Sequence, residues 1–172
     1  MINNKINIKI NHELKNKTIL LTGGAGSIGS MLTKKLLEFP VKSVRILDVD
    51  EHALFKLGRS VKDSRLRLLL GDIQNIDRLD MAGVDTDVVI HLAAVKNIEI
   101  TEFNPIETIN TNINGTVNLI KMGMKHKPAK FINISSDKSV DSSTNCTPLV
   151  PLIITFPRES NLITFFATSG SQ

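Results

Sequence analysis

The sequence predicts a doubly wound parallel α/β sheet with strand order 3-2-1-4-5, and three observations support this fold class. Short apolar runs, typical of buried parallel strands, alternate with segments whose apolar residues recur every three or four positions. The connections between these segments are short, which favours right-handed strand–helix–strand units. A glycine-rich turn, Gly23 to Gly29, joins the first strand to the first helix. A dinucleotide-binding sheet begins in this way.

The predicted elements follow one another from residue 18. The predicted strands cover residues 18–22, 44–48, 65–70, 87–94 and 130–136. The predicted helices cover residues 27–39, 51–59, 76–81 and 105–126. The first helix is expected to present Ile28, Met31, Leu32, Leu36 and Phe39 on one face. The last is expected to be capped by Asn104 and to present Ile106, Ile109, Ile113, Val117, Ile120 and Met124.

Composition indicates a globular domain and argues against several classes of protein. The chain has 172 residues, of which 41% are hydrophobic and 22% charged. Lysines and arginines are scattered, so the net charge of +4 does not indicate a nucleic-acid partner. No segment has the length and apolar character of a signal peptide or a membrane span, and Cys146 is the single cysteine. We therefore expect a cytoplasmic protein without a membrane partner or a metal site.

The chain divides into three parts. Residues 1–16 are a polar N-terminal extension, and residues 17–145 carry the strand–helix alternation. Residues 146–172 contain Pro148, Pro151 and Pro157 and show no helical period, although a helix should follow the fifth strand. We expect the sheet to be incomplete at this end. The tail is expected to be either translated out of frame or poorly ordered.

The glycine-rich turn predicts a Rossmann-type site for NAD(P). Gly23 permits a tight turn, Gly26 lets the backbone approach a pyrophosphate, and Gly29 allows close packing of helix and strand. The amides near Ser27 and Ile28 then point at the phosphates from the positive end of a helix. Asp48 lies nineteen residues after Gly29, where a carboxylate accepts hydrogen bonds from ribose hydroxyls. The alternatives are a glycine turn without ligand and an exposed strand-end acid.

NAD is favoured over NADP because Asp48 would repel a 2′-phosphate. Arg45, upstream on the same strand, is the cation that could reverse this preference. Asp72 and Ile73, after the third strand, are candidates for contacts with the adenine. Ala93 and Ala94, after the fourth, are small enough to let the cofactor cross the strand ends. We interpret His91 as a histidine of the core or of a strand end.

The stretch from about Lys17 to Asn145 resembles the extended short-chain dehydrogenases of the polysaccharide-biosynthesis group, the nucleotide-sugar 4,6-dehydratases. The segments that carry the resemblance are Thr22–Gly29, Gly71–Ile73, His91–Lys96, Glu102–Pro105, Thr111–Gly115 and Ser135–Lys138. The last is the most specific, because many extended dehydrogenases share the glycine turn. The resemblance adds Leu92, Lys96 and Asn112 to the expected cofactor residues.

The resemblance implies an elimination on a sugar nucleotide of the UDP-N-acetylhexosamine class. C4 of the sugar is oxidised by the nicotinamide, water is lost across C5 and C6, and C6 is then reduced. Asp137 and Lys138 would transfer the protons of the elimination, and Ser136 would hydrogen-bond the C4 oxygen. An adjacent acid and base near one carbon suit this chemistry. Without the resemblance, Asp137 and Lys138 would be interpreted as a surface ion pair.

The chain departs from the family in one respect. The oxidation requires a Tyr-x-x-x-Lys pair near positions 146–151, and the sequence contains no tyrosine. We expect a truncated reading frame that binds the cofactor without turnover, and the alternatives are a short degenerate homologue, a non-enzymatic dinucleotide-binding module, or one half of a split enzyme. Absent helices would expose apolar surface, so we expect low solubility, or association as a homo-oligomer or with a partner that supplies the missing half.

Overall fold

A sheet whose strands run in the order β3-β2-β1-β4-β5-β6-β7 forms the centre of the fold. The computed structural model of the chain describes residues 9–135, 150–155 and 164–167. The five parallel strands are β1 (Thr18–Thr22), β2 (Ser43–Asp48), β3 (Leu66–Leu70), β4 (Val88–His91) and β5 (Lys130–Ser135). Their order confirms the predicted Rossmann-type arrangement 3-2-1-4-5.

Two further strands lie in the tail, where no strand was predicted. β6 (Val150–Thr155) pairs antiparallel with β5, and β7 (Thr164–Ala167) pairs antiparallel with β6. A parallel neighbour of β5 would need a crossover connection, usually a helix, whereas an antiparallel neighbour needs none. The expectation of an out-of-frame or poorly ordered tail remains a prediction.

The helices cover both faces of the parallel part of the sheet. They are α1 (Ser27–Leu37), α2 (Glu51–Ser60), α3 (Ile76–Gly83), α4 (Ile98–Phe103), α5 (Pro105–Ile109) and α6 (Thr116–His126). A π-helical turn, Asn110–Gly115, joins α5 to α6, and residues 9–14 form a further helical turn. The predicted long helix is therefore interrupted, and α4 precedes it where no helix was predicted.

Two apolar clusters form the core, one on each face of the sheet. On the first face Ile19, Leu21, Val44, Ile46 and Ile90 pack against Leu36, Leu37, Leu54 and Leu57 of α1 and α2. On the second face Leu20, Leu47, Val89 and Phe131 pack against Leu79, Leu119 and Met122 of α3 and α6. Every residue of β1 is buried, because β1 lies between both clusters.

The face of α1 that is buried differs from the predicted face by part of a helical turn. The buried residues are Gly29, Thr33, Leu36 and Leu37. Ile28 and Met31 are 47% and 73% exposed instead. A Cβ on Gly29 would stand 2.4 Å from the Cα of Gly24, so this glycine sets which side of α1 meets the sheet.

The apolar face predicted for the last helix is also largely exposed. Ile106, Ile109, Ile113, Val117 and Met124, which we call the α5–α6 stripe, are each between 42% and 62% exposed. The residues that α6 buries are Leu119, Met122 and Gly123. Asn104 forms no side-chain cap on α5, and its Nδ2 donates to the carbonyl of Ile100 at 2.9 Å in α4. This exposed surface lies on helices that are present, whereas the exposure expected from absent helices, the low solubility and the association remain predictions.

Candidate dinucleotide-binding site

A cleft of about 400 Å³ lies along the carboxyl edge of the parallel strands. It is the place where ligands bind in open α/β sheets. The loops after β1, β2, β3 and β4 all contribute to its lining. Of the residues predicted to bind a cofactor, those that line it are Gly23, Gly26, Ser27, Ile28, Gly29, Asp48, Asp72, Ile73, Leu92, Ala93, Ala94 and Lys96. Asn112 is not among the lining residues.

Sequence reasoning missed several residues of the cleft. Leu47, Val49, Gly71, Val95, Thr111 and Ile134 also line it. β4 ends at His91 rather than at the predicted Ala94. The loop that lines the cleft therefore begins at Leu92 and includes Val95. Thr111 lies in the π-helical turn, which has no simple sequence signature. A π-helical turn inside a longer helix frequently marks a functional site.

Two glycines of the turn, Gly23 and Gly26, occupy different steric environments. Gly23 has φ +67°, and a Cβ there would lie 2.6 Å from the backbone nitrogen of Ala93. Such a conformation and such a contact require glycine. A Cβ on Gly26 would meet only the Gly23 carbonyl oxygen, at 3.5 Å, so the space beside Gly26 is open. The backbone at Gly26 is therefore accessible from the cleft.

The first turn of α1 differs from those of the next two helices. Asp50 caps α2 by accepting from the Ala53 amide, and Asn75 caps α3 by accepting from the Arg78 amide. Among the described residues, α1 has no side-chain cap and no acid in its first turn. No side chain of this turn occupies the free amide groups at the start of α1. Because Gly26 to Gly29 line the cleft, these amides and the positive end of the helix dipole lie beside it. This arrangement suits a bound anion such as a pyrophosphate.

Asp48 is fixed at the end of β2 by two backbone amides. Its Oδ2 accepts from the Ala25 amide at 2.9 Å, and its Oδ1 accepts from the Asp50 amide at 3.1 Å. The carboxylate thus joins the glycine turn to the loop after β2. Carboxylate oxygens have further lone pairs, which are free to accept from ribose hydroxyls.

Arg45 is engaged away from the cleft. Its Nη1 donates to the carbonyl of Ala82 at 3.0 Å and also to the carbonyl of Val84. These carbonyls lie at the C-terminus of α3, where a cation complements the helix dipole. Arg45 is therefore not positioned to offset a 2′-phosphate beside Asp48. Among the described residues that line the cleft, Lys96 is the single cation.

The residues after β3 contribute unequally to the cleft. Asp72 accepts from the Gln74 amide at 2.8 Å, which fixes its carboxylate at the cleft edge. Ile73 is 3% exposed and belongs to the second core cluster. A Cβ on Gly115 would lie 2.6 Å from Cδ1 of Ile73, so Ile73 packs closely on the π-helical turn. Ile73 therefore offers little free surface to an adenine ring.

Asn112 holds the loop after β4 at Val95, although Asn112 itself does not line the cleft. Its Oδ1 accepts from the Val95 amide and its Nδ2 donates to the Val95 carbonyl, both at 2.8 Å. This pair of hydrogen bonds replaces the strand partner that Val95 lacks beyond the end of β4. Asn112 shapes the cleft through Val95 rather than by lining it.

His91 is buried at the end of β4, as its sequence context suggests. Its Nδ1 lies 2.7 Å from the Thr22 hydroxyl, and its Nε2 lies 3.1 Å from the Thr116 hydroxyl. Burial lowers the pKa of His91 to about 4, so the ring is neutral at neutral pH.

The predicted proton-transfer residues Ser136, Asp137 and Lys138 lie outside the described residues. β5 ends at Ser135, and Ile134 of the same strand lines the cleft. Within the described ranges no group of acids, histidines or cysteines is arranged to hold a metal ion. No helix in the described part of the chain is long and apolar enough to cross a membrane.

The strand order and the glycine turn define the N-terminal portion of an extended short-chain dehydrogenase/reductase. A more particular assignment follows from the sequence as a whole. The family described as polysaccharide biosynthesis protein matches residues 19–147, and the chain belongs to this family.

Known relatives match about three quarters of this chain. The chain is 39% identical to a UDP-N-acetylglucosamine 4,6-dehydratase (inverting) of Campylobacter jejuni, over 72% of this chain and 37% of the relative. It is 36% identical to a UDP-glucose 4-epimerase of Rickettsia bellii, over 72% of this chain and 38% of the relative. The chain thus spans less than two fifths of the length of these relatives.

A solved structure shows the same fold. The dTDP-glucose 4,6-dehydratase DesIV of Streptomyces venezuelae, solved with NAD and TYD bound, matches with a TM-score of 0.60 at 29% identity. The match covers 64% of this chain and 37% of DesIV.

Proposed function

We propose that this chain is the NAD-binding N-terminal portion of a nucleotide-sugar 4,6-dehydratase or epimerase of polysaccharide biosynthesis. The observation that carries the proposal is the cleft, in which loops from four parallel strands bring together twelve residues predicted from sequence alone. The relatives named as dehydratase and epimerase, and the NAD held by DesIV, support this assignment.

Each part of the cleft has a defined task in binding. The amide groups at the start of α1 hold the pyrophosphate, and the open space at Gly26 admits it. Asp48 accepts hydrogen bonds from the adenosine ribose and disfavours the 2′-phosphate of NADP. Ala93 and Ala94 leave room for the cofactor to cross the strand ends. NAD, when bound, supplies the acceptor and donor of the hydride.

The substrate proposal rests on the family rather than on the described residues. A UDP-N-acetylhexosamine is the proposed substrate class, with Ser136 at the sugar C4 oxygen and Asp137 and Lys138 at the protons of elimination. Because the chain has no tyrosine, we further propose that it binds NAD without turning over a sugar nucleotide by itself.

Two assays on the full 172-residue chain test these statements. Titration with NADH and with NADPH, followed by cofactor fluorescence, should show binding of NADH and weaker binding of NADPH. The absence of any signal at millimolar cofactor would contradict the proposed binding. Incubation with NAD and UDP-N-acetylglucosamine should give no product, and the appearance of a 4-keto-6-deoxy sugar would overturn the proposed lack of turnover.

A split enzyme is the second candidate, and the exposed α5–α6 stripe favours it. An apolar surface of this kind is typical of a face that another polypeptide covers. Sequencing the DNA downstream of the Asn145 codon distinguishes the candidates. A downstream frame that encodes a Tyr-x-x-x-Lys helix supports a truncated or split enzyme, and its absence supports a non-enzymatic dinucleotide-binding module.

A further inference from the structure

The buried ring of His91 connects three elements that surround the cleft. It lies at the last residue of β4, 3% exposed, between Thr22 at the end of β1 and Thr116 at the start of α6. The three side chains form a continuous chain of hydrogen bonds that ends on the carbonyl of Asn112. The proposed roles of the cleft residues do not use this chain.

The direction of the hydrogen bonds fixes the tautomer of His91. The Thr116 hydroxyl donates to the Asn112 carbonyl at 2.7 Å, and a carbonyl can only accept. The proton between His91 and Thr116 must therefore come from Nε2, at 3.1 Å. A neutral ring with its proton on Nε2 accepts at Nδ1, where the Thr22 hydroxyl donates at 2.7 Å.

The two ends of this chain reach two segments that line the cleft. Thr22 precedes Gly23, whose α-carbon packs against the backbone of Ala93. Thr116 is bonded to Asn112, whose side chain clamps both backbone groups of Val95. The glycine turn and the loop 92–96, which are in direct contact at Gly23 and Ala93, are thus joined a second time through one buried ring.

We propose that His91 is a positioning residue of the cleft, because its neutral Nε2–H tautomer ties the glycine turn to the π-helical turn whose Asn112 clamps Val95. The inference deepens the proposed cofactor binding and rests on it for its effect on affinity. Its effect on the Val95 backbone does not depend on cofactor binding, because the Val95 amide donates to Asn112 in the free protein.

Substitutions on the full chain test the inference at its two ends. His91→Phe keeps a ring of similar size and removes both hydrogen bonds, and Thr116→Val removes the bond to the ring and the bond to Asn112. Thr116→Ser restores the hydroxyl and is the rescue variant. Thr86→Val is the matched control, because Thr86 is also buried and donates to a carbonyl four residues earlier, Ala82, at 3.3 Å.

The readouts are hydrogen exchange of the Val95 amide and the affinity for NADH. In His91→Phe and Thr116→Val we expect Val95 to exchange roughly tenfold faster and NADH to bind roughly tenfold more weakly, the effect of about one lost buried hydrogen bond. Thr116→Ser and Thr86→Val should leave both readouts close to wild type, even where Thr86→Val lowers the melting temperature.

The possible outcomes separate the inference from the proposed function. Unchanged Val95 exchange in folded His91→Phe and Thr116→Val would overturn the positioning role, whatever the affinity for NADH. If the wild-type chain binds no NADH, the proposed function fails, and Val95 exchange still decides the role of His91. If His91→Phe does not fold, the comparison of Thr116→Val with Thr116→Ser decides it.

Discussion

Helices α1 and α2 bury their leucines against the sheet, whereas α5 and α6 turn a row of isoleucine and valine side chains to solvent. Leu36, Leu37, Leu54 and Leu57 are at most 8% exposed. Ile113 and Val117 of the α5–α6 stripe are 57% and 42% exposed. The first unit, from β1 to β3, buries these four leucines, although Met31 and Phe55 on its surface are 73% and 61% exposed. Within the described part of the chain, the second unit has no element that covers the stripe.

This difference follows the division of tasks in the cleft. The first unit supplies the glycine turn and Asp48, which need a rigid support, and β1 is buried at every residue. The second unit supplies the loop 92–96, which is held by one side chain, Asn112. We infer that the first unit holds the pyrophosphate and ribose of the cofactor, that the loop 92–96 completes the cleft, and that association depends on the second unit.

The largest effect is expected at the contact of Gly24 and Gly29 in the first unit. Gly29→Ala would place a Cβ 2.4 Å from the Gly24 Cα, a backbone contact that cannot be relieved by a rotamer change. The free energy of unfolding should fall by about 3 kcal/mol, as for severe overpacking. Chemical denaturation measures this. Gly26→Ala is the control, because its Cβ meets only one atom, at 3.5 Å, and an equal loss there would contradict the account.

Acid should destabilise the chain through His91, which joins the two units. Burial lowers its pKa from 6.5 to about 4, so between these values the unfolded chain binds a proton that the folded chain excludes. The contribution is fully present above pH 6.5 and is lost as the pH falls towards 4. We expect a loss of roughly 2 to 3 kcal/mol between pH 7 and pH 4.5.

Urea unfolding at pH 7, 5.5 and 4.5 measures this dependence. His91→Phe should remove the slope between pH 7 and pH 5.5, whatever its stability at pH 7. Lys130 lowers the pKa of Glu13, and Lys125 and His126 lower that of Asp80, so these carboxylates leave a small slope near pH 4.5. Asp63 does not interfere, because its hydrogen bonds with Arg65 lower the pKa of Asp63 to about 2 and shift its contribution to lower pH. A slope that persists in His91→Phe between pH 7 and pH 5.5 would show that another group titrates.

Asp48 should set the preference between the two cofactors. Asp48→Asn removes the charge that repels a 2′-phosphate, so NADPH should gain relative to NADH by roughly tenfold, or about 1.4 kcal/mol. Parallel fluorescence titrations measure the ratio. Asp50→Asn is the matched control, because it removes the same charge two residues away and asparagine also caps a helix. Equal effects of both variants would contradict a specific role for Asp48.

The smallest change in stability is expected on the α5–α6 stripe. Ile113→Ser with Val117→Ser should lower the free energy of unfolding by only about 1 kcal/mol, since the two residues are 57% and 42% exposed and lose only part of their burial. The same pair should reduce concentration-dependent association in sedimentation. A large loss of stability would show that the stripe is covered within the chain.

Local signals were sufficient to predict the five parallel strands and most of the residues that line the cleft. The apolar runs that form β1 and β4 are buried at every residue, so they are recognisable without their partners. The glycine turn and Asp48 lie at a fixed spacing that follows from the geometry of one strand–helix–strand unit.

Features that depend on distant contacts were not predicted. Ile28 and Met31 have helical spacing with Leu36, yet the contact of Gly29 with Gly24 rotates them towards solvent. The period of Ile106 to Met124 correctly predicts helix, but not the π-helical turn or which side of α6 meets the sheet. The clamp of Asn112 on Val95 joins residues seventeen apart and has no pattern in the sequence.

The most direct test of the central claim is a paired titration of the full chain and Gly26→Val with NADH. Gly26 has φ −66°, which valine also adopts, so the variant should fold. The valine side chain would occupy the open space beside Gly26 in which we propose that the pyrophosphate binds. The account predicts saturable binding to the wild-type chain and at least roughly a hundredfold weaker binding to Gly26→Val, a loss of about 2.7 kcal/mol. Equal affinities of the two folded proteins would contradict a dinucleotide site in this cleft.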